Sequence, residues 1–344
     1  MSLDRRMFIA AGTAAAMMPG LARAQSGIDA LYQAAKSEGE LTWYIVPFAS
    51  ATAERMGAAF TEAFPGVKVN VVRTTATVAF QRLNQDIDSG VANCDVFTTS
   101  NMAHAVDLKG RGLLTPYSPI RKDEVFKEFR NADPDDAYTL TVAGPMCIVY
   151  NTEQVTEAEA PKNWPDLLDP NWKGKVAIGH PGFSGYVGIW AVKMRELYGW
   201  EFFEKMAAQD PRIGRSSIDA VTNTASGETI VGAGPSASSL IATSKGNPIA
   251  NIYPTDGTVI ITSPSAIMKT APHPNAAKLF MEFLLGQECA EVVADEFSTP
   301  IRPGVALREG VKPLDEIKTI QATLPQMLTE VREVAEDFRD TFGI

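Results

Sequence analysis

Short apolar runs alternate with amphipathic stretches along the first third of the chain. Residues 40–46, 67–73 and 94–100 are apolar or alternate between apolar and polar, so we expect them to be strands. The stretch that follows each run carries apolar residues at helical spacing. This succession of strands and helices predicts a parallel sheet with crossover helices, which is an α/β fold.

A second α/β unit is predicted after the first. It begins with a long strand at 139–151, and amphipathic helices are expected between residues 179 and 227. Residues 229–246 predict a strand, a Gly-Pro-Ser loop and a helix. Two extended runs lie within 249–268, and the second should return the chain to the first unit.

These two units predict a two-lobed molecule in which the chain crosses twice between the lobes. We expect the two extended hinge crossovers near residues 125–140 and 254–262. The predicted boundaries assign to lobe 1 residues 27–132 and 258–305, and to lobe 2 residues 133–257 and 306–344. At 320 residues without its first 24, the chain is long enough for two domains.

The first 24 residues are predicted to be an export signal. They have a charged start, an apolar stretch at 7–18, and Ala22-Arg23-Ala24 as an A-x-A cleavage site. Arg5-Arg6 before the apolar stretch is typical of the twin-arginine export route. The alternative is an ordinary secretory signal that carries two arginines. Either signal predicts a periplasmic protein.

Charge and hydropathy exclude several classes of partner. The formal net charge is −10, and it falls to −12 when the signal, which carries +2, is removed. So acidic a chain is not suited to nucleic acid or to an anionic membrane surface. No apolar run after the signal approaches the length of a membrane span, so we expect a soluble mature protein.

The cysteine pattern does not indicate a metal or redox motif. Cys94, Cys147 and Cys289 are widely spaced and form no C-x-x-C motif. Either one disulfide forms between two of them or all three are buried free thiols. We favour buried thiols, because unpaired cysteine behaves as a small apolar residue.

Small polar loops follow the three predicted strands of the first lobe. These loops, 47–52, 74–77 and 98–101, carry hydroxyls and an amide but no histidine, cysteine or carboxylate at ligand spacing. The carboxyl ends of strands line the ligand crevice in open parallel sheets. Because the chain also lacks a P-loop, a G-x-S-x-G motif and an H-E-x-x-H motif, we expect a binding protein and not an enzyme.

The sequence predicts a candidate anion site at the start of a helix in the second lobe. The stretch "GHPGFSGYVGIWAVKMRELYG" (179–199) places Ser184-Gly185-Tyr186 after a turn and before an amphipathic helix. Helix N-termini have free N–H groups and a partial positive charge, which favour anions. The alternative is a plain N-cap serine.

Several segments together resemble one protein family. They are "GELTWYIVPFASATAERMGAAFTEAFPGVKVNVVR", "CDVFTTSN", "CIVYN", "WPDLLDPNWKGKVAI" and "YPTDGTVIITSPSAIMKTAPHPNAAKLFMEFLLGQE". In this order they resemble the periplasmic solute-binding proteins of ABC importers, in particular the ferric-ion-binding branch. The resemblance implies a type II two-lobed periplasmic-binding-protein fold that closes on one small ligand. It also implies a monomer without a cofactor that docks on the permease subunits of its importer.

The same resemblance argues against iron as the ligand. The iron-binding members have adjacent tyrosines in the loop that here contains Pro235 and Ser236, and Tyr150 and Tyr186 are too few to replace them. Fe(III) prefers several anionic oxygen ligands, which hydroxyls cannot supply. In the relatives, residues matching Ser184 and Gly185 hold an anion, and Ser216 matches a second polar residue beside it.

We therefore predict a receptor for a small organic anion: a phosphonate, a phosphate ester or a carboxylate. The alternatives are an Fe(III) receptor with a synergistic anion, or a receptor for a thiamine-like or polyamine-like cation or zwitterion. Arg73 is either an anion clamp or a solvated arginine, and Asp256 either pairs with an ammonium group or stabilises its own turn. The predicted ligand-binding residues are Phe48, Ala49, Thr74, Thr75, Ser100, Asn101, Ser184, Gly185, Tyr186, Ser216, Ser236 and Asp256.

Overall fold

The computed structural model describes the backbone of residues 19–344 and the side chains from residue 25 onward, so most of the predicted signal at 1–24 lies outside the described residues. Its helices are α1 (Pro19–Glu38), α2 (Ser50–Ala63), α3 (Ala76–Asp88), α4 (Met102–Gly110), α5 (Gly185–Tyr198), α6 (Glu201–Ala208), α7 (Ser217–Ala225), α8 (Ser236–Ser244), α9 (Pro274–Leu284), α10 (Gln287–Asp295) and α11 (Leu324–Phe342). Its strands are β1 (Glu40–Ile45), β2 (Lys68–Arg73), β3 (Val96–Thr98), β4 (Leu114–Thr115), β5 (Thr139–Asn151), β6 (Val176–Gly179), β7 (Arg212–Gly214), β8 (Val231–Pro235), β9 (Ile249–Ile252), β10 (Thr258–Met268) and β11 (Thr319–Ile320).

The strands form a continuous mixed sheet with the order β2-β1-β3-β10-β5-β8-β6-β7. β1 is parallel to β2 and β3 on one side, and β6 is parallel to β7 and β8 on the other. β10 and β5 are antiparallel to each other and lie between these two parallel groups. The short strands β4 and β11 pair with β10, and β9 pairs with β5. The predicted α/β class and the two-lobed type II fold are confirmed.

The two long central strands carry the chain between the lobes. Ser265 lies opposite Thr139 at one end of their pairing, and Val259 lies opposite Met146 at the other. Every residue of β10 is buried, including its four hydroxyl residues, Thr258, Thr262, Ser263 and Ser265. β5 begins where the first predicted crossover ends, and β10 overlaps the second. The predicted lobe boundaries stay predictions.

Each lobe has an aromatic cluster in its core. In the first, the rings of Trp43 and Phe60 contact Phe280 edge-on, with centroids 4.9 and 5.2 Å apart. In the second, Trp190 contacts Trp164 and Phe203 at 5.7 and 5.8 Å. All six rings are buried, and such pairs each contribute about 0.5–1.5 kcal/mol beyond their buried area. The larger core cluster also joins residues on both sides of the central strands, such as Phe97 and Trp190.

The C-terminal helix α11 packs against α5, the helix that follows Ser184. A capping box between Thr323 and Gln326 begins α11, and its buried face includes Val331. A Cβ at Gly188 of α5 would lie 2.7 Å from Val331, so the two helices pack closely at this glycine. Arg195 of α5 also pairs with acidic residues of α11. The start of α5 is thus held by packing outside the cleft.

All three cysteines, Cys94, Cys147 and Cys289, are buried and unpaired, which confirms the preferred prediction. Burial raises the pKa of each thiol, so the thiols stay protonated at neutral pH. Within residues 19–344, none of the helices is both long and apolar enough to cross a membrane.

His104 of α4 makes the stability of the fold depend on pH. Its ring stacks on Phe80 with centroids 4.1 Å apart, and its Nδ1 lies 3.0 Å from Thr99 Oγ1. Burial lowers the pKa of His104 to about 4, below the unfolded value of 6.5. Between these values the unfolded chain binds the proton that the native chain excludes, so stability falls as the pH falls.

We predict that His104→Gln removes this part of the pH dependence. At pH 7.5 the wild type should be more stable than the variant, because the variant loses the ring stacking. The difference between their melting temperatures should shrink from pH 6.5 towards pH 4.5, since only the wild type loses stability through this histidine. A difference that stays constant or grows would contradict the assignment.

Candidate functional site

The cleft contains two adjoining compartments, which share Pro47, Tyr186 and Pro235 in their walls. The arginine compartment encloses about 380 Å³, including space open to solvent, and is also lined by Val46, Arg73, Thr75, Ala76, Ser100, Phe183, Ser184, Ser216, Ser217 and Ile218. The serine compartment encloses about 450 Å³ by the same measure and is also lined by Phe48, Ala49, Thr52, Val142, Ala143, Gly144, Pro145, Ser236, Ala237, Ser238, Ile241, Ser298 and Thr299.

Three helices begin at the arginine compartment. Thr75, Ser184 and Ser216 are the N-cap residues of α3, α5 and α7, and all three line it. The first N–H groups of a helix have no partner within the helix, and each N-terminus carries a partial positive charge. One of these helices follows β2 in the first lobe, and the other two belong to the second. The compartment therefore collects positive helix ends from both sides of the cleft.

The N-cap hydroxyls retain hydrogen-bonding capacity. Ser184 Oγ accepts from the Val187 N–H at 3.4 Å, and Ser216 Oγ accepts from the Asp219 N–H at 3.3 Å. Accepting these bonds leaves each hydroxyl hydrogen free to donate elsewhere. Capping and anion binding are therefore compatible roles for Ser184. Thr75 differs, because its Oγ1 is buried without any hydrogen-bond partner among the described residues.

Arg73 contributes the charge of this compartment. Its Nε donates to the Phe48 carbonyl oxygen at 2.8 Å, which fixes the guanidinium at the end of β2. Within the described part of the chain, its terminal nitrogens have no hydrogen-bond or ion-pair partner. Burial lowers the pKa of Arg73, and the nearby Asp219 carboxylate partly opposes this shift. Because arginine stays charged in proteins, a half-buried cation faces the cleft with free donors.

The serine compartment is lined by hydroxyls and apolar groups and has no charged side chain in its wall. Tyr186 packs against β5 so closely that a Cβ at Gly144 would lie 1.6 Å from the Tyr186 hydroxyl. Burial raises the pKa of Tyr186 well above its usual value, so the phenol stays protonated. Tyr186 is the one tyrosine that lines either compartment.

Eight of the twelve predicted ligand-binding residues line one compartment or both: Phe48, Ala49, Thr75, Ser100, Ser184, Tyr186, Ser216 and Ser236. Gly185 lies beside them at a contact between the lobes. A Cβ there would be 2.6 Å from the Ser100 carbonyl oxygen, so only glycine permits this approach without a shift. A second contact across the cleft is the 3.1 Å bond from Thr77 Oγ1 to the Gly182 carbonyl.

Two of the remaining predicted residues have local roles. Thr74 does not line either compartment, and its N–H donates to the Ile45 carbonyl at 3.4 Å. The Asn101 side chain caps α4 by accepting from the Ala103 N–H at 3.0 Å, and its amide also contacts His104. Both residues stand next to cleft residues, Thr75 and Ser100, but are directed to the backbone or to α4.

The structure places Asp256 outside the cleft. Its carboxylate accepts from the Trp164 N–H at 2.9 Å and from the Tyr198 hydroxyl. These partners come from elements more than fifty residues earlier in the chain, so the aspartate joins its turn to the core of the second lobe. An ammonium group bound in the cleft would therefore not meet this carboxylate.

Further hydroxyl residues, which were not predicted from the sequence, also line the cleft. Thr52 and Ser217 line the compartments from the first turns of α2 and α7. Ser298 and Thr299 reach the serine compartment from the loop after α10, where Phe297 has a φ of 55°. Nothing local in the sequence marks this loop, apart from two adjacent hydroxyl residues before Pro300.

No set of three or more histidine, cysteine or carboxylate residues suited to a metal ion occurs within the described chain. Neither compartment has an aspartate or glutamate in its wall. Hard cations such as Fe(III) bind anionic oxygens, and these walls offer only neutral hydroxyls, a protonated phenol and an arginine.

The family model for bacterial extracellular solute-binding proteins matches residues 93–319. The chain belongs to this family. A Haemophilus influenzae relative without an assigned function is 28% identical over 263 residues, covering 72% of this chain and 74% of the relative. This chain is therefore a periplasmic solute-binding protein of the kind that serves ABC importers.

Solved structures of periplasmic binding proteins have the same fold. AfuA from Actinobacillus pleuropneumoniae, with fructose-6-phosphate bound, gives a TM-score of 0.78 at 21% identity, covering 89% of this chain and 99% of AfuA. Iron-bound HitA from Pseudomonas aeruginosa gives 0.73 at 21% identity, covering 88% and 99%. Proteins that share this fold therefore carry different ligands, and the ligand has to be argued from the site.

We predict that this solute-binding protein does not form an iron–phenolate complex. Titration with Fe(III) nitrilotriacetate should give no visible phenolate-to-iron absorption, because one tyrosine and no carboxylate line the two compartments, which is too few anionic oxygens for Fe(III). The readout is the visible spectrum of the protein after removal of excess reagent. A coloured protein holding one iron per chain would contradict this prediction, because it would mean that the cleft supplies enough ligands for Fe(III).

Proposed function

We propose that this protein is the substrate-binding component of an ABC importer and that its ligand is a small organic anion. The anion is a phosphonate, a phosphate ester or a carboxylate. The observation that supports this most strongly is the guanidinium of Arg73, which lies unpaired beside the N-termini of α3, α5 and α7.

The electrostatics of the arginine compartment favour an anion over the alternatives. Each helix N-terminus contributes about 0.3–1 kcal/mol to binding a negative charge, and more when the site is closed. Hydrogen bonds between a guanidinium and a carboxylate or phosphate add directional, charge-assisted donors. A polyamine-like or thiamine-like cation would instead meet a positive charge without a carboxylate in either wall. The arginine compartment is therefore locally positive, although the net charge of the whole chain is negative.

The hydrogen-bond donors of the arginine compartment come from both lobes, so a bound ligand favours closure of the lobes. Arg73, Thr75 and Ser100 lie on the first lobe, whereas Ser184 and Ser216 lie on the second. A ligand that contacts both sets binds the closed form more tightly and shifts the population towards it. The contacts between Gly185 and Ser100, and between Thr77 and Gly182, join the lobes in that form. The closed protein then delivers its ligand to the permease.

We propose that the signal at residues 1–24 directs the protein to the periplasm by the twin-arginine route. We also propose that the protein acts as a monomer, without a cofactor and without enzymatic turnover. The hydroxyls of Ser184 and Ser216 support binding without catalysis, because no imidazole or carboxylate that could act as a general base lines the arginine compartment with them.

Arg73→Gln is predicted to weaken anion binding by about tenfold or more, the usual scale for losing hydrogen bonds to a charged group. A thermal-shift screen of phosphorylated, phosphonated and carboxylated metabolites on residues 25–344 first identifies the ligand. Ligand at about 100 times its Kd should stabilise the wild type by about 2.7 kcal/mol. Calorimetry then compares the wild type with the variant.

Arg332→Gln is the matched control, because Arg332 is 87% exposed on α11. It should bind like the wild type. The proposed function is contradicted if only cations stabilise the protein, or if Arg73→Gln binds the identified anion as tightly as the control does.

Gly185→Ala is predicted to impair closure without impairing folding. The new methyl group would lie 2.6 Å from the Ser100 carbonyl oxygen, whereas alanine is well tolerated in the first turn of a helix. Its melting temperature without ligand should match or exceed that of the wild type, while its affinity for the identified anion falls by about tenfold or more.

Gly110→Ala serves as the control here, since a Cβ at Gly110 meets nothing within 4 Å. It should leave binding unchanged. If Gly185→Ala binds the anion as tightly as Gly110→Ala, the contact between Gly185 and Ser100 is not needed for closure.

A further inference from the structure

We infer that the serine compartment is a second subsite, which binds a neutral, polyhydroxylated part of the ligand, and that Thr299 determines specificity there. This inference rests on the proposed function, because it requires the anionic group of the same ligand to occupy the arginine compartment. The ligand class it names is an anion carried on a polyol or sugar skeleton, such as a sugar phosphate or a sugar acid.

The two compartments share part of their walls. Pro47, Tyr186 and Pro235 line both compartments, so one ligand lying past Tyr186 can occupy both. Inorganic phosphate or a two-carbon phosphonate would fill only the arginine compartment. The serine compartment would then hold only water.

The wall of the serine compartment is suited to a neutral, hydroxylated group. Its polar side chains other than Tyr186 are all hydroxyls, contributed by Thr52, Ser236, Ser238, Ser298 and Thr299. A hydroxyl can donate and accept, which matches ligand hydroxyls that do the same. A second charged group on the ligand would have no counter-charge in this wall. Phe48 and Val142 add apolar surface, against which the C–H face of a sugar ring can pack.

Thr299 carries an unsatisfied polar group. This residue is 5% exposed, and its Oγ1 is buried without a hydrogen-bond partner among the described residues. Buried polar atoms almost always have a partner, because leaving one unpaired is energetically costly. Thr52 and Ser298 differ, since their hydroxyls donate to Glu296 at 3.2 and 3.5 Å. Thr299 therefore has an unused hydroxyl in the wall of the compartment.

The test compares four probes on residues 25–344 by calorimetry: inorganic phosphate, glycerol 3-phosphate, a panel of hexose 6-phosphates and sugar acids, and glucose. At least one member of the panel should bind about 100-fold more tightly than inorganic phosphate, and glucose should bind weakly because it lacks the anion. Thr299→Val should weaken the best panel member by about three- to tenfold and leave inorganic phosphate unchanged.

Thr258→Val is the matched control. Thr258 is also fully buried with an unpartnered Oγ1, but it lies in β10 and does not line either compartment. It should change the affinity for neither probe. Ser238→Ala gives a second measurement at the subsite if Thr299→Val folds poorly, and it should likewise weaken only the panel member.

The outcomes separate this inference from the proposed function. If small phosphonates or inorganic phosphate bind as tightly as every sugar phosphate and sugar acid, the subsite is wrong and the anion receptor stands. The same holds if Thr299→Val and Ser238→Ala leave the panel member unaffected, or weaken inorganic phosphate equally. If no anion binds at all, the proposed function itself fails.

Discussion

An arginine without an acidic partner, held at the point where the two lobes meet, sets the chemistry of this cleft. Arg73 is fixed by the carbonyl of Phe48, half-buried at the end of β2, and faces the N-caps of α5 and α7 in the other lobe. Burying a cation costs free energy, which the nearby Asp219 carboxylate offsets only in part. An anionic ligand that contacts Arg73 would offset more of this cost.

The fold supplies this arrangement through its topology. The carboxyl ends of β1, β2 and β3 and those of β6 and β8 meet on opposite sides of the central pair β5 and β10. Each loop after these strands leads into a helix, so the helices present their positive ends to the same space. Packing outside the cleft, such as that of α11 on α5, fixes these ends without using the side chains that line the site.

Elements and site residues that depend on a local sequence pattern could be predicted from the sequence. β5 was predicted at its observed bounds, because a long apolar strand between turns has few alternatives, and Ser184 was placed at the start of α5 by its turn and helix pattern. β4, β7 and β11 were not predicted, since strands of two or three residues depend on a neighbouring strand. Asp256 and Thr299 show the same limit at the site. The bonds from Trp164 and Tyr198 to Asp256, and the approach of the loop of Thr299 to the cleft, are tertiary contacts.

The central claim is tested most directly by a crystal structure of the protein with the ligand that it selects. The account predicts a closed molecule with a negatively charged group within hydrogen-bond distance of the Arg73 guanidinium and the first turns of α5 and α7. A bare metal ion or a cation in the cleft would contradict it, as would an anion bound away from Arg73.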